Sequence, residues 1–157
     1  MDSICEAALA RVRQSVRDLR AIVQGLPAEA LNWRPVPDTN SIAAQIEHSL
    51  KSAEFYLRAA AATDRDMGTY LDVREGTFNF GADGPALLAM LDRFDLGLDH
   101  AFAAIDPGRY DEVIDWSEHG RGRPSVAWVL LGVVEHLREH VGASALTRQL
   151  WEQSHPR

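Results

Sequence analysis

Residues 125–153, SVAWVLLGVVEHLREHVGASALTRQLWEQ, decide the fold. The stretch reads as a helix that starts near Pro124 or Ser125 and runs to about Gln153. At ~100° per residue, Glu135, Arg138 and Glu139 share one arc. His136 and His140 fall outside that arc, on the side with Val129, Val133, Ala143 and Thr147. A helix of this length with an inward stripe is a bundle helix.

Working outward, three more segments carry the same period. A first helix is expected from about Ser3 to Gln24, with Ser3 and Glu6 at capping-box spacing. Leu9, Val12, Val16, Leu19 and Val23 form its stripe, and Gly25 and Pro27 stop it. A second helix is capped by Asn40 or Ser41 and reaches about Ala62, with Ile42, Ile46, Leu50, Ala53 and Leu57 as core. Its acid-before-base pairs, Glu47–Lys51 and Glu54–Arg58, mark a solvent face. A third begins at Pro85, follows Leu87, Leu91, Phe94, Leu98 and Phe102, and ends at Pro107–Gly108. Four helices, each about 30 Å or longer, make an all-α four-helix bundle. The connector Pro27–Asp38 carries one helical turn at Ala28–Leu31. Thr63–Gly84 reads as a long polar connector, long enough to cross the bundle between the second and third helices. Asp111–Arg123 reads as irregular, with a short extended piece at Val113–Trp116. A weak echo links Ser41-Ile-Ala before Glu47-His48 with Ser125-Val-Ala before Glu135-His136.

The totals set the limits. A chain of 157 residues suits one domain over residues 1–157, and 46% apolar with 25% charged residues is a globular balance. A formal net charge of −7 argues against nucleic acid and anionic membranes as partners. No apolar run approaches the ~20 residues of a membrane span, and the N-terminus shows no signal pattern, so a cytoplasmic protein is expected. The single cysteine, Cys5, allows no internal disulfide and reads as a packing residue.

Two histidines four apart on one helix face can converge on one cation. Burying either imidazole unpaired would cost a few kcal/mol, and a shared divalent ion removes that cost. The acid between them is not in the metalloprotease position, because Leu137 follows His136. His48 stacks with Ala44, Ser52 and Phe55 between the charged stripe and the core. Its own surroundings suit a third ligand no better than a half-buried histidine bonded to a carbonyl. His100, His119 and His155 read as solvated. Trp33, Trp128 and Trp151 read as packing residues, and Arg121 and Arg123 as a solvated loop that could also meet an anionic group.

At these residues the sequence resembles the DinB-like superfamily. One block is Leu31-Asn32-Trp33-Arg34-Pro35, followed by Asn40-Ser41-Ile42-Ala43 and His48. The other is Ser125 to Trp128, Glu135-His136 through His140-Val141-Gly142, and Leu146 to Gln149. The resemblance implies a bundle with a long crossover between helices two and three, in up-down-down-up order. It also implies a divalent metal, zinc or nickel, on His48, His136 and His140. Characterised branches are thiol-dependent transferases and isomerases, with a few hydrolases. The sequence departs from the family pattern at Ala143 and Ala145, where relatives often carry polar residues.

Three neutral imidazoles leave a metal position open to water or substrate. The expected activity is thiol transfer, with a low-molecular-weight bacterial thiol as cosubstrate and a second small molecule as substrate. Metal-assisted hydrolysis ranks second, because Glu47, Glu135 and Glu139 are expected to point away from the histidines. A non-catalytic metal-binding or stress-related protein ranks third. Bundles of this type often pair, which makes a homodimer an expectation.

Overall fold

Asp2, one residue before the expected cap, closes the start of the first helix: its Oδ1 accepts from the amides of Ile4 and Cys5. The Ser3/Glu6 capping box is therefore not formed. A carboxylate placed at the helix start satisfies two orphan amides and meets the positive end of the dipole. The computed structural model describes residues 1–156; Arg157, the last residue of the expected domain, lies outside them. Among the described residues six α-helices follow in order. α1 spans Ser3–Val23, α2 Ala28–Asn32, α3 Ile42–Ala60, α4 Met67–Thr77, α5 Gly84–Ala103 and α6 Val126–Ser154. The four long ones are the four expected, and α2 is the expected turn.

Every stripe residue named for α1, α3 and α5 is buried. At about 1.5–3 kcal/mol per fully buried Leu, Ile, Val or Phe, these stripes supply most of the drive to pack. Ser41 and Ser125 both act as N-caps, accepting from the amides of Ala44 and Trp128, which gives the sequence echo a structural meaning.

Side-chain contacts fix the direction of each helix. Arg13 pairs with Asp95 and Asp99, and Arg20 with Asp92, so α1 and α5 run antiparallel. Arg138 pairs with Asp18, and Arg148 donates to the carbonyls of Ala21, Ile22 and Gln24, so α1 and α6 run parallel. Gln45 meets Ser144 and Thr147 while His48 meets His136 and His140, so α3 and α6 run antiparallel. The order is up-down-down-up. Because α3 and α5 run the same way, the chain between them must return along the bundle.

That return is not an irregular loop. It holds α4, capped by Asp66 through the amide of Thr69. Asn32 pins its far end, its carboxamide bonding both the N–H and the C=O of Ala82. Gly81 permits that clamp, since a Cβ there would stand 2.7 Å from Asn32 Oδ1. Short 3-10 turns occupy Pro107–Arg109 and Ser117–His119, and the expected extended piece is reduced to one antiparallel bridge, Val113 with Ser125. No helix among the described residues is long and apolar enough to cross a membrane.

Two surface expectations are corrected. Glu47 is not on a solvent face: it is 7% exposed, its charge met by Lys51 at 2.5 Å. An i,i+4 pair fixes which residues meet, not how much of the carboxylate a neighbouring helix covers, and the long lysine reaches out to water on its partner's behalf. Trp128 is not packed, standing 62% exposed, whereas Trp151 is buried and Trp33 meets its edge at 5.6 Å.

Candidate metal centre

The three named histidines meet where α3 crosses α6. The ring centroid of His48 lies 5.0 Å from that of His136 and 5.0 Å from that of His140, and the last two are 4.5 Å apart. One nitrogen from each ring falls within 4.8 Å of the other two. Small residues allow this approach. Ala44 and Ser52, one turn either side of His48, are both fully buried. A polar tier sits below the rings: Ser144 donates to Gln45 Oε1, and Gln45 Nε2 donates to Thr147 and to the carbonyl of Asn40.

Burial pushes His48 down to about 3, with the neighbouring His140 and His136 rings adding to the effect. Burial likewise pushes His140 down to about 4 and lowers His136. All three imidazoles are therefore neutral at pH 7, with a lone pair free on each ring.

α4 orients the first of them. Thr77, 2% exposed, donates its hydroxyl hydrogen to the carbonyl of Arg74 at 2.7 Å. Its oxygen is then an acceptor for His48 Nδ1–H at 3.3 Å, which leaves the lone pair on Nε2. Phe78 stacks on the His48 ring, 5.0 Å away, and the Arg74 guanidinium sits over Phe78 at 5.2 Å. Sequence reasoning missed Thr77, Phe78 and Arg74 because it left this segment without structure.

Two clefts open on the rings. One, about 170 Å3, is bordered by Tyr56, Trp128, Gly132, Glu135, His136 and Glu139. The other, about 320 Å3, reaches His140 between Pro35, Ala143, Leu146 and Leu150. Tyr56 follows His48 by eight residues and Trp128 precedes His136 by eight. Antiparallel helices bring such positions together, a signal the sequence carried unread.

The sequence profile of the DinB superfamily matches residues 11–144. The chain belongs to that superfamily. In fold it is similar to a crystal structure described as the conserved protein of locus from Enterococcus faecalis, with a TM-score of 0.75, 13% identity, and coverage of 96% of this chain and 98% of that one. At such identity the likeness concerns the fold alone. No curated protein matches the chain.

The DinB resemblance implies a divalent cation, and the donor set fits one. Three buried side-chain polar atoms have no partner among the described residues, and two of them are His136 Nδ1 and His140 Nδ1. Zinc–nitrogen bonds of about 2.0–2.1 Å place tetrahedral neighbours roughly 3.3 Å apart. Ring nitrogens within 4.8 Å of one another need only small side-chain rotations to reach that spacing.

One site expectation is overturned. Glu135 and Glu139 do not point away: both border the cleft at His136, and Glu139 borders the other cleft too. On a helix wheel Glu139 is only ~60° from His136, so a ring and its flanking carboxylates can share one opening. The remaining histidines behave as expected. His100, His119 and His155 are exposed, and His155 stacks on Trp151 at 3.6 Å. Arg123 pairs with Asp115 at 3.2 Å. Arg121 is exposed, yet its charge reaches the Tyr56 hydroxyl.

Proposed function

We propose that this chain is a divalent-metal-dependent transferase that joins a low-molecular-weight thiol to an electrophilic carbon of a second small molecule. The observation that carries the reading is three neutral imidazoles gathered within reach of one another, with one cleft at His136 and a second at His140, in a chain without a nucleophile of its own at the site. Cys5, the only thiol, is buried near the start of α1 beside the Tyr110 hydroxyl. His48, His136 and His140 would hold the cation, zinc or nickel in this reading. Once bound, such an ion is a Lewis acid that lowers the pKa of a thiol or water presented to it.

The chain's own groups supply the rest. Thr77 keeps the His48 ring in one tautomer and one orientation. Glu135 or Glu139 takes the thiol proton as the sulfur–carbon bond forms. The bond from that carbon to its leaving group breaks, and the electron pair departs with the group. Burial raises the Tyr56 hydroxyl above its ordinary range, so it stays protonated and can donate a hydrogen bond to the developing negative charge. A cytoplasmic location, where small thiols stay reduced, belongs to the same reading.

Metal-assisted hydrolysis is a second reading, favoured by the carboxylates now found at the cleft, since either could serve as general base towards water. One assay separates the two. Zinc- and nickel-loaded protein is supplied with cysteine or N-acetylcysteine and an activated aryl halide, and separately with aryl esters and no thiol. The transferase reading expects thioether formation well above the uncatalysed rate and its loss in His140→Ala. Equal rates in both proteins overturn it, and ester cleavage without thiol selects hydrolysis. If chelation lowers thermal stability but no substrate is turned over, the ion is structural.

A further inference from the structure

Leu146 and Leu150 are 56% and 37% exposed, yet they stand one turn apart on α6 and border the same cleft as His140. With Pro35 and Ala143 they wall the cleft of about 320 Å3 that reaches His140. Its lining contains one charged side chain, Glu139. The smaller cleft at His136 differs in chemistry: it carries two carboxylates together with the Tyr56 hydroxyl. The two openings share Glu139 and reach neighbouring rings of the cluster, His136 in one and His140 in the other.

We propose that the cleft at His140 is the subsite for the electrophile and takes an uncharged, largely apolar body about two aromatic rings in size. The electrophile role rests on the transferase reading; the ligand class rests on the cleft alone. The size follows from scale, since an apolar cavity of about 150 Å3 accommodates one benzene, and this cleft is roughly twice that. The charge preference follows from composition. An anionic group would face Glu139 with no cation in the lining to offset it, and the neutral walls, mostly apolar with Thr39, Asn40, Gln45 and Thr147 among them, replace only part of the water that any charged group must shed.

The test is a fluorescence titration of the whole chain, zinc-loaded and metal-free, with prodan, a neutral naphthalene-sized probe that reports polarity. One saturable site with a blue-shifted emission is expected. Leu146→Glu puts a charge on an exposed wall position, and Ala143→Trp fills the cleft; each weakens binding at least tenfold. Leu131→Glu, on the same helix at a residue 60% exposed and outside the cleft, changes it less than twofold. Absence of saturable binding, or an equal loss in Leu131→Glu, overturns the assignment. So does a change of oligomeric state in Leu146→Glu with prodan binding intact, because the leucines would then be covered by a second copy. Zinc uptake in the same samples reads the metal site separately. Protein that binds prodan but no zinc supports the ligand class and removes the electrophile role with the transferase reading. Protein that binds zinc but no prodan removes the cleft assignment and leaves the transferase reading standing.

Discussion

Replacing Thr77 by valine removes one oxygen and little volume from a position 2% exposed. The lost oxygen is the acceptor for His48 Nδ1–H at 3.3 Å, and the carbonyl of Arg74 loses its 2.7 Å donor at the same time. Two consequences follow, of different size. The metal-free protein loses two modest hydrogen bonds and leaves an Nδ1–H with nothing to bond, so stability falls by about 1–2 kcal/mol. Metal affinity falls further, because a ligating ring without its outer partner can turn or change tautomer, and such losses run about 10–100-fold. In free energy that is roughly 1.4–2.7 kcal/mol. Free zinc at 1,000 times the wild-type Kd stabilises the fold by about 4 kcal/mol, and a 100-fold weaker site under the same zinc gains about 1.4 kcal/mol. For a chain of this size each kcal/mol moves Tm by about 2–4 °C. The zinc-induced rise in Tm should therefore shrink by about a third to two-thirds, read by thermal melts at buffered free zinc beside a chromophoric-chelator competition. If Thr77→Val binds zinc within twofold of wild type, α4 does not orient the site and the tautomer argument is wrong.

Three further outcomes are expected. The metal-free protein should lose stability as pH falls below about 6.5: folded His48 is held down to about 3 and His140 to about 4, so the unfolded chain takes up protons first. Urea midpoints should fall slightly from pH 8 to 6.5 and much further from 6.5 to 5, and a flat profile throughout would remove the burial argument. Further loss should follow as pH falls from about 4.5 towards 2, where Glu112, held down to about 2 by Arg109 and Arg65, finally protonates and releases both arginines; Glu112→Gln should make that part of the profile shallower. Asp2→Ala should cost about 1 kcal/mol through the lost cap while Ser3→Ala stays within about 0.5 kcal/mol, and the reverse order in chemical denaturation would restore the capping box.

Regular helices declare themselves because burial demands a repeat. Leu9 to Val23, Ile42 to Leu57 and Leu87 to Phe102 all kept their apolar stripe, and all are core. α4 did not declare itself. Its buried residues are only Met67, Tyr70 and Thr77, and Gly68 and Gly76 interrupt it, so no apolar rhythm marks it. It packs through few contacts on α3, the Ser52–Tyr70 hydroxyl pair at 2.7 Å among them. With α4 unread, the partner of His48 was unreadable too. The histidine pair on α6 was legible from spacing and direction, whereas His48, 88 residues before His136, was named only through the family resemblance, because its own surroundings carried no ligand signal. Glu135 and Glu139 were placed on the correct arc, but the width of the opening depends on how α3 lies against α6, which no single-helix wheel contains.

Metal content of the purified chain tests the central claim most directly. Protein equilibrated with zinc, freed of excess ion and measured by plasma emission should hold one ion per chain. His136→Ala, still helical by circular dichroism, should hold almost none. A wild type that retains no metal, or a variant that retains as much as wild type, would contradict the assignment of His48, His136 and His140 to a common ion.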